Sequence, residues 1–149
     1  MLLRRDRALM AIDIVLDVAF HAGRGTDVTG GGDIADRVGA QRRGIEPLLQ
    51  ALGRADILDS VRGPKGGYRL ARAPRAITLA EVVSAVLDGD EGAPAASGKL
   101  AAAVTAPLWG ELDEMVRARL AATTIGDLLR KAAAAGLRRP QAEPLDFAI

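Results

Sequence analysis

Apolar residues recur at helical spacing near the start of the chain. Leu9, Ile12, Leu16 and Phe20 fall on one side of a 3.6-residue period and Asp13 and Asp17 on another, which predicts a first helix over 5–22, stopped by Gly23. A turn-rich stretch, 24–32, follows. Ile34, Ala35 and Val38 then predict a short helix over 33–38, and Gly39 ends it. A longer helix, from about Arg42 to Ala55, carries Leu48, Leu49 and Leu52. The period next changes to that of strands at 57–61 and 68–71, two short runs separated by Arg62-Gly63-Pro64-Lys65-Gly66-Gly67, a hairpin tip by composition. Thr78 and Glu81, three residues apart, form a capping box ahead of Leu79, Val82, Val83, Val86 and Leu87, and that helix closes at Asp88-Gly89.

Gly, Ala, Pro and Ser over 90–98 predict a flexible connection, extending to 104. Thr105 is expected to cap a long helix with Pro107 in its first turn, where a missing amide costs little. Leu108, Trp109, Leu112, Met115, Val116 and Leu120 give that helix a continuous apolar stripe. Thr124 and Asp127 predict a last short helix through Leu129, and the tail from Gly136, with Pro140 and Pro144, is expected to be loose. The expected fold class is mainly α with a small β-hairpin: a winged helix-turn-helix domain (1–89), a connection (90–104), a dimerisation helix with a short C-terminal helix (105–135), and a tail (136–149).

Within 31–50 each position of a helix-turn-helix has a physical task. Ala35 is small where the second helix crosses over it, Gly39 permits a left-handed turn, and Ile34, Val38, Ala40, Ile45 and Leu48 glue the pair. Gln41, Arg42 and Arg43 then stand at the outward end of the second helix, where arginine can pair with guanine or phosphate and glutamine with adenine. Arg62, Lys65, Arg69 and Arg72 make the hairpin basic, and Gly66 and Gly67 leave its backbone bare, as a wing against DNA requires.

Composition narrows the alternatives. A chain of 149 residues, 49% hydrophobic and 3% aromatic, has room for one small aliphatic-cored domain and a dimerisation element. With no cysteine there is no disulfide, thiolate metal site or cysteine nucleophile, and one histidine, His21, cannot build a multi-histidine centre. Glu111, Asp113 and Glu114 read as a solvated helix face rather than an acid/base pair. Neither glycine cluster has the sequence of a phosphate-binding loop. No enzymatic site, cofactor or metal is expected. Arg4, Arg5 and Arg7 before the apolar run 8–20 imitate a signal peptide, but Asp13 and Asp17 interrupt the run, so the protein is read as cytoplasmic and not bound to membranes. The net charge of +1 divides unevenly: 13 Lys and Arg against 9 Asp and Glu in 1–75, a net of +4, and 7 against 10 in 76–149, a net of −3. The first half suits an anionic partner.

The run Val61-Arg62-Gly63-Pro64-Lys65-Gly66-Gly67-Tyr68-Arg69-Leu70, with Asp33-Ile34-Ala35-Asp36 and Leu49-Gln50-Ala51-Leu52 before it, resembles the Rrf-two (Rrf2) family of bacterial transcriptional regulators over about residues 5–130. The resemblance implies a winged-helix homodimer on double-stranded DNA. Its dimerisation helix corresponds to the Trp109–Leu120 stripe, with Thr124-Ile125-Gly126-Asp127-Leu128-Leu129 as the usual ending. Cluster-binding members carry three cysteines ahead of that helix; this sequence has none and is read as a member without an iron–sulfur cluster. It departs also at Gly44, where the family often has an aromatic, and at Pro47, which predict an irregular or later start of the second helix, and at Gly30-Gly31-Gly32, which replace helix-favouring residues before Asp33 and predict weak DNA binding or binding that needs ordering by DNA. The expected function is a sequence-specific transcriptional regulator, a repressor in the first reading and an activator in the second, responding to an unidentified small-molecule or protein effector if to any. The alternative is a winged-helix protein-interaction module with weak or non-specific DNA binding.

Overall fold

The computed structural model describes residues 5–22, 27–87 and 97–140. Gly23, Asp88-Gly89, the first part of the expected connection and Pro144 lie outside the described residues. The elements run α1 (Arg5–His21), α2 (Gly31–Val38), α3 (Arg42–Arg54), β1 (Leu58–Val61), β2 (Gly67–Leu70), a 3₁₀ turn (Pro74–Ala76), α4 (Leu79–Leu87), α5 (Ala106–Ala121) and α6 (Ile125–Ala134).

Helix α1 is the hub, packed against α2, α3, α4 and α6. It buries Ala8, Ala11, Ile14, Val15, Val18 and Ala19, not the expected stripe: Leu9 is half exposed, and Ile12, Leu16 and Phe20 are only partly covered. The reason is size. Three alanines, Ala8, Ala11 and Ala19, let neighbouring helices approach the α1 backbone, so the face they share with Ile14, Val15 and Val18 turns to the crowded centre while Leu9, Ile12, Leu16 and Phe20 line its margin. Around α1, the expected apolar faces of α3 (Leu48, Leu49, Leu52) and α4 (Leu79, Val82, Val83, Val86, Leu87) are buried as predicted.

Helix α2 begins two residues earlier than expected, at Gly31. With Gly30 as N-cap, Gly31 and Gly32 occupy the first turn, where amides have no partner within the helix in any case, so the glycines cost little there. Gly39 ends α2 at φ 73°, its amide and that of Ala40 closing onto Asp36 and Ala35, the pairing of a Schellman motif. Helix α3 starts at Arg42 without a shift. Its first turn is tight, the Gln41 carbonyl accepting from both Gly44 and Ile45, and Pro47 lies inside the helix.

Both capping boxes form. Thr78 Oγ1 accepts from the Glu81 amide while Glu81 Oε2 accepts from the Thr78 amide, and Thr124 and Asp127 do the same at α6. The two helix starts lie side by side, joined by the Leu79 amide to the Thr123 carbonyl (2.9 Å) and the Ile125 amide to the Ile77 carbonyl (2.9 Å). Three expectations fail nearby. Thr105 caps nothing: it is helical, and its hydroxyl donates back to the Ala101 carbonyl. Helix already begins at Lys99 within the expected connection and passes through a π turn, Ala101–Thr105, just before Pro107, where the wider turn accommodates the proline ring. Helix α6 runs on to Ala134, well past Leu129, because its alanines continue the turn. The described part of the tail is irregular yet anchored, since Arg139 Nη2 donates to the carbonyls of Ala19 (2.6 Å) and Ala22 (3.1 Å) at the end of α1.

Candidate nucleic-acid interface

The wing is built by backbone proximity. Strands β1 and β2 pair antiparallel, Leu58 opposite Leu70 and Val61 opposite Gly67. Thr29 adds a third rung, its amide and carbonyl both bonded to Tyr68 (2.9 and 2.8 Å). A Cβ on Gly67 would lie 2.3 Å from the Thr29 carbonyl oxygen, and one on Gly66 2.2 Å from that of Val61. Both glycines are therefore required by the hairpin itself, a different reason from the expected bare approach to DNA. The Gly66 amide donates to the Gly63 carbonyl (2.9 Å), so Pro64 and Lys65 are the two central residues of the turn and Lys65 projects from the tip.

At the start of α3, Gln41, Arg42 and Arg43 are exposed and the Gln41 side chain caps nothing. Arg42 Nε and the Tyr68 ring each come within 3.8 Å of where a Gly31 side chain would begin. The starts of α2 and α3 and the base of the wing thus converge on one point. Glu46 and Gln50 follow Arg42 at successive four-residue steps, exposed on the same side of α3; neither was expected at the interface, and their spacing on the recognition helix is the signal that marks them.

The basic residues around the start of α3 and the hairpin separate into two groups. Arg69 is forked onto Asp59, its cross-strand partner (2.9 and 2.8 Å). Arg72 turns away from the hairpin to Glu81 (3.0 Å) and the Asp56 and Ala76 carbonyls. Arg37 grips both carboxylate oxygens of Asp17 and donates to Thr29 Oγ1; the hydrogen bond to Asp17 is the main cause that raises its pKa above the ordinary value. Arg42, Arg43, Arg62 and Lys65, by contrast, are exposed, and among the described residues no carboxylate pairs with them.

The Rrf2 family model, described as an iron-dependent transcriptional regulator, matches residues 5–131. The chain belongs to the Rrf2 family. This Rrf2 chain is 35% identical over 124 residues to the HTH-type transcriptional regulator IscR of Aliivibrio salmonicida, covering 80% of this chain and 72% of that one. Among solved structures it is similar to T. potens IscR (TM-score 0.71, 27% identity, 90% of each chain) and to CymR, the global cysteine regulator of B. subtilis (TM-score 0.69, 25% identity, 88% of this chain and 98% of that one). The Rrf2 chain is accordingly a winged-helix transcriptional regulator, and its relatives are regulators rather than enzymes.

The iron in the family description does not fit these residues. The sequence holds no thiolate, and among the described residues no group of three or more His, Cys, Asp or Glu side chains could hold a metal ion. Nor is any described helix long and apolar enough to cross a membrane.

Proposed function

We propose that this Rrf2 protein is a cytoplasmic, homodimeric, sequence-specific repressor. The start of α3 enters the major groove, with Gln41, Arg42 and Arg43 at base edges and phosphates, and the wing lies on the backbone or in the minor groove through Arg62 and Lys65. The observation that carries this reading is the division of the cations: Arg37, Arg69 and Arg72 are consumed by internal carboxylates, whereas Arg42, Arg43, Arg62 and Lys65 are exposed without one. Phosphates are the counter-charges they lack. The amino end of α3, with no acidic residue in its first turn, adds a favourable dipole for an anion. Arg69, Gly66 and Gly67 serve by shaping the hairpin that presents Lys65. Repression needs only that the dimer occupy promoter DNA.

Dimerisation is assigned to α5. Leu108 and Trp109 are about half exposed and Met115 more so, while Leu112, Val116 and Leu120 are partly covered by the rest of the chain. An apolar stripe of this length on one helix is surface that a second copy would cover.

The test is anisotropy with duplex DNA from upstream of the protein's own gene against a scrambled duplex. Binding to the first at least tenfold tighter, about 1.4 kcal/mol, is expected, and Arg42→Ala with Arg43→Ala should abolish the preference while the dimer persists. Equal affinity for both duplexes, at the own-gene region and across a genomic library, would sink sequence-specific regulation in favour of a protein-interaction module.

A further inference from the structure

A cleft of about 320 Å³ opens between α1, the end of α2, α6 and the segment after it. The apolar part of its wall is formed by Leu16 and Phe20 of α1, Val38 of α2, and Ala132 and Leu137. The Leu137 wall is held in place by Arg139, which is bonded to the last carbonyls of α1 two residues further on. The volume is at the small end of ligand sites.

Four titratable groups face the cleft: Asp13, Asp17, His21 and Arg37. Three are satisfied among themselves. Arg37 occupies both oxygens of Asp17, and His21 Nδ1 lies 2.8 Å from the Asp17 main-chain oxygen and 3.3 Å from its Oδ1. Asp13, one helical turn earlier, has no cation paired with it among the described residues. Partial burial without compensation raises its pKa, the expected response of a carboxylate that the protein desolvates and does not neutralise. With Asp17 cancelled by Arg37, the lining carries one uncompensated negative charge beside an apolar wall.

We infer that this cleft binds a small organic cation, an ammonium group on an apolar body, with Asp13 pairing the charge and Leu16, Phe20, Val38 and Leu137 enclosing the body. The site is positioned to reach the wing. Arg37, which lines the cleft, donates to Thr29 Oγ1 (2.6 Å), and the Thr29 main chain is the third rung of the hairpin through Tyr68. An ammonium ion at Asp13 competes with Arg37 for the neighbouring Asp17 carboxylate, and any ligand that favours one arrangement of that pair shifts the population of wing positions. This second step rests on the DNA-binding reading; the site itself does not.

The experiment is a two-dimensional amide NMR titration of the full chain with phenethylammonium and, separately, with its neutral counterpart 2-phenylethanol. The amides of Leu16, Phe20 and Val38 should shift, with the cation binding at least tenfold tighter than the alcohol, and Asp13→Asn should bring the two to the same affinity while ligand-free DNA binding stays unchanged. Equal affinities in the unaltered protein, shifts located elsewhere, or cation binding indifferent to Asp13→Asn would each overturn the site. The two readings fail separately. DNA binding with an inert cleft leaves the regulator and removes the site; cleft shifts in a protein with no preference among duplexes leave the site and remove the regulator.

Discussion

Among single residues, the glycines divide by what a methyl group would meet. Gly39 has open space around its missing side chain but sits at φ 73°, so Gly39→Ala costs only left-handed strain, about 1–2 kcal/mol. Gly67 has an ordinary backbone but the Thr29 carbonyl 2.3 Å from its would-be Cβ, so Gly67→Ala must displace the third rung of the wing. Urea denaturation should show both variants destabilised. Anisotropy should show wild-type operator affinity, after correction for the folded fraction, in Gly39→Ala only. Equal affinity losses would contradict the distinction. Asp56 shows that the left-handed region is not reserved for glycine: at φ 55° it closes a Schellman motif at the end of α3, with the Ile57 amide on the Leu52 carbonyl. Lys65, exposed at the tip of the wing turn, should act through phosphate alone. Lys65→Ala is expected to weaken binding to all duplexes and reduce the salt slope by about one, whereas an unchanged slope would remove it from the interface.

Among elements, the two capping boxes make helix starts that respond to acid. The Thr78 amide, first, and Arg72 hold the Glu81 carboxyl below its ordinary pKa of 4.5; the Thr124 amide, first, and Arg130 hold Asp127 below 3.8. Both groups bind protons less readily folded than unfolded. Their contribution is therefore complete above the ordinary values and lost as pH falls through the depressed ones. The urea midpoint should drop as pH falls below about 5, and by less in a Glu81→Gln, Asp127→Asn double variant; an identical drop in both would refute the assignment. These boxes were legible in the sequence because they are local, a threonine and an acid three residues apart. The hairpin, the Gly39 turn and the α4 face were legible for the same reason. What the sequence hid was what depends on a neighbour. The inward face of α1 was misassigned because alanine counts little in a hydrophobic pattern yet governs how closely helices approach. Arg69 and Arg72 looked like wing cations until Asp59 and Glu81 were seen to hold them. The third rung at Thr29 has no pattern of its own.

At the scale of the whole molecule, α5 is the α-helix least covered by its own chain: none of its residues is buried. Trp109→Glu with Met115→Glu should leave the helical circular dichroism unchanged, convert the protein to a monomer in sedimentation, and cost most of its operator affinity, since a monomer grips one half-site. Unchanged sedimentation would move the dimer interface off this face. The charge division reinforces the arrangement, with the positive half of the chain at the candidate interface and the negative half elsewhere.

The bonds from Arg139 to the end of α1 join residues 117 to 120 positions apart. On a ribosome adding about 5–20 residues per second, α1 emerges and waits roughly 6–24 s for the side chain that completes it. Over that interval its final carbonyls lack these donors. The last turn of α1, among the first segments made, is therefore hydrogen-bonded by Arg139 only after every other described element has been synthesised.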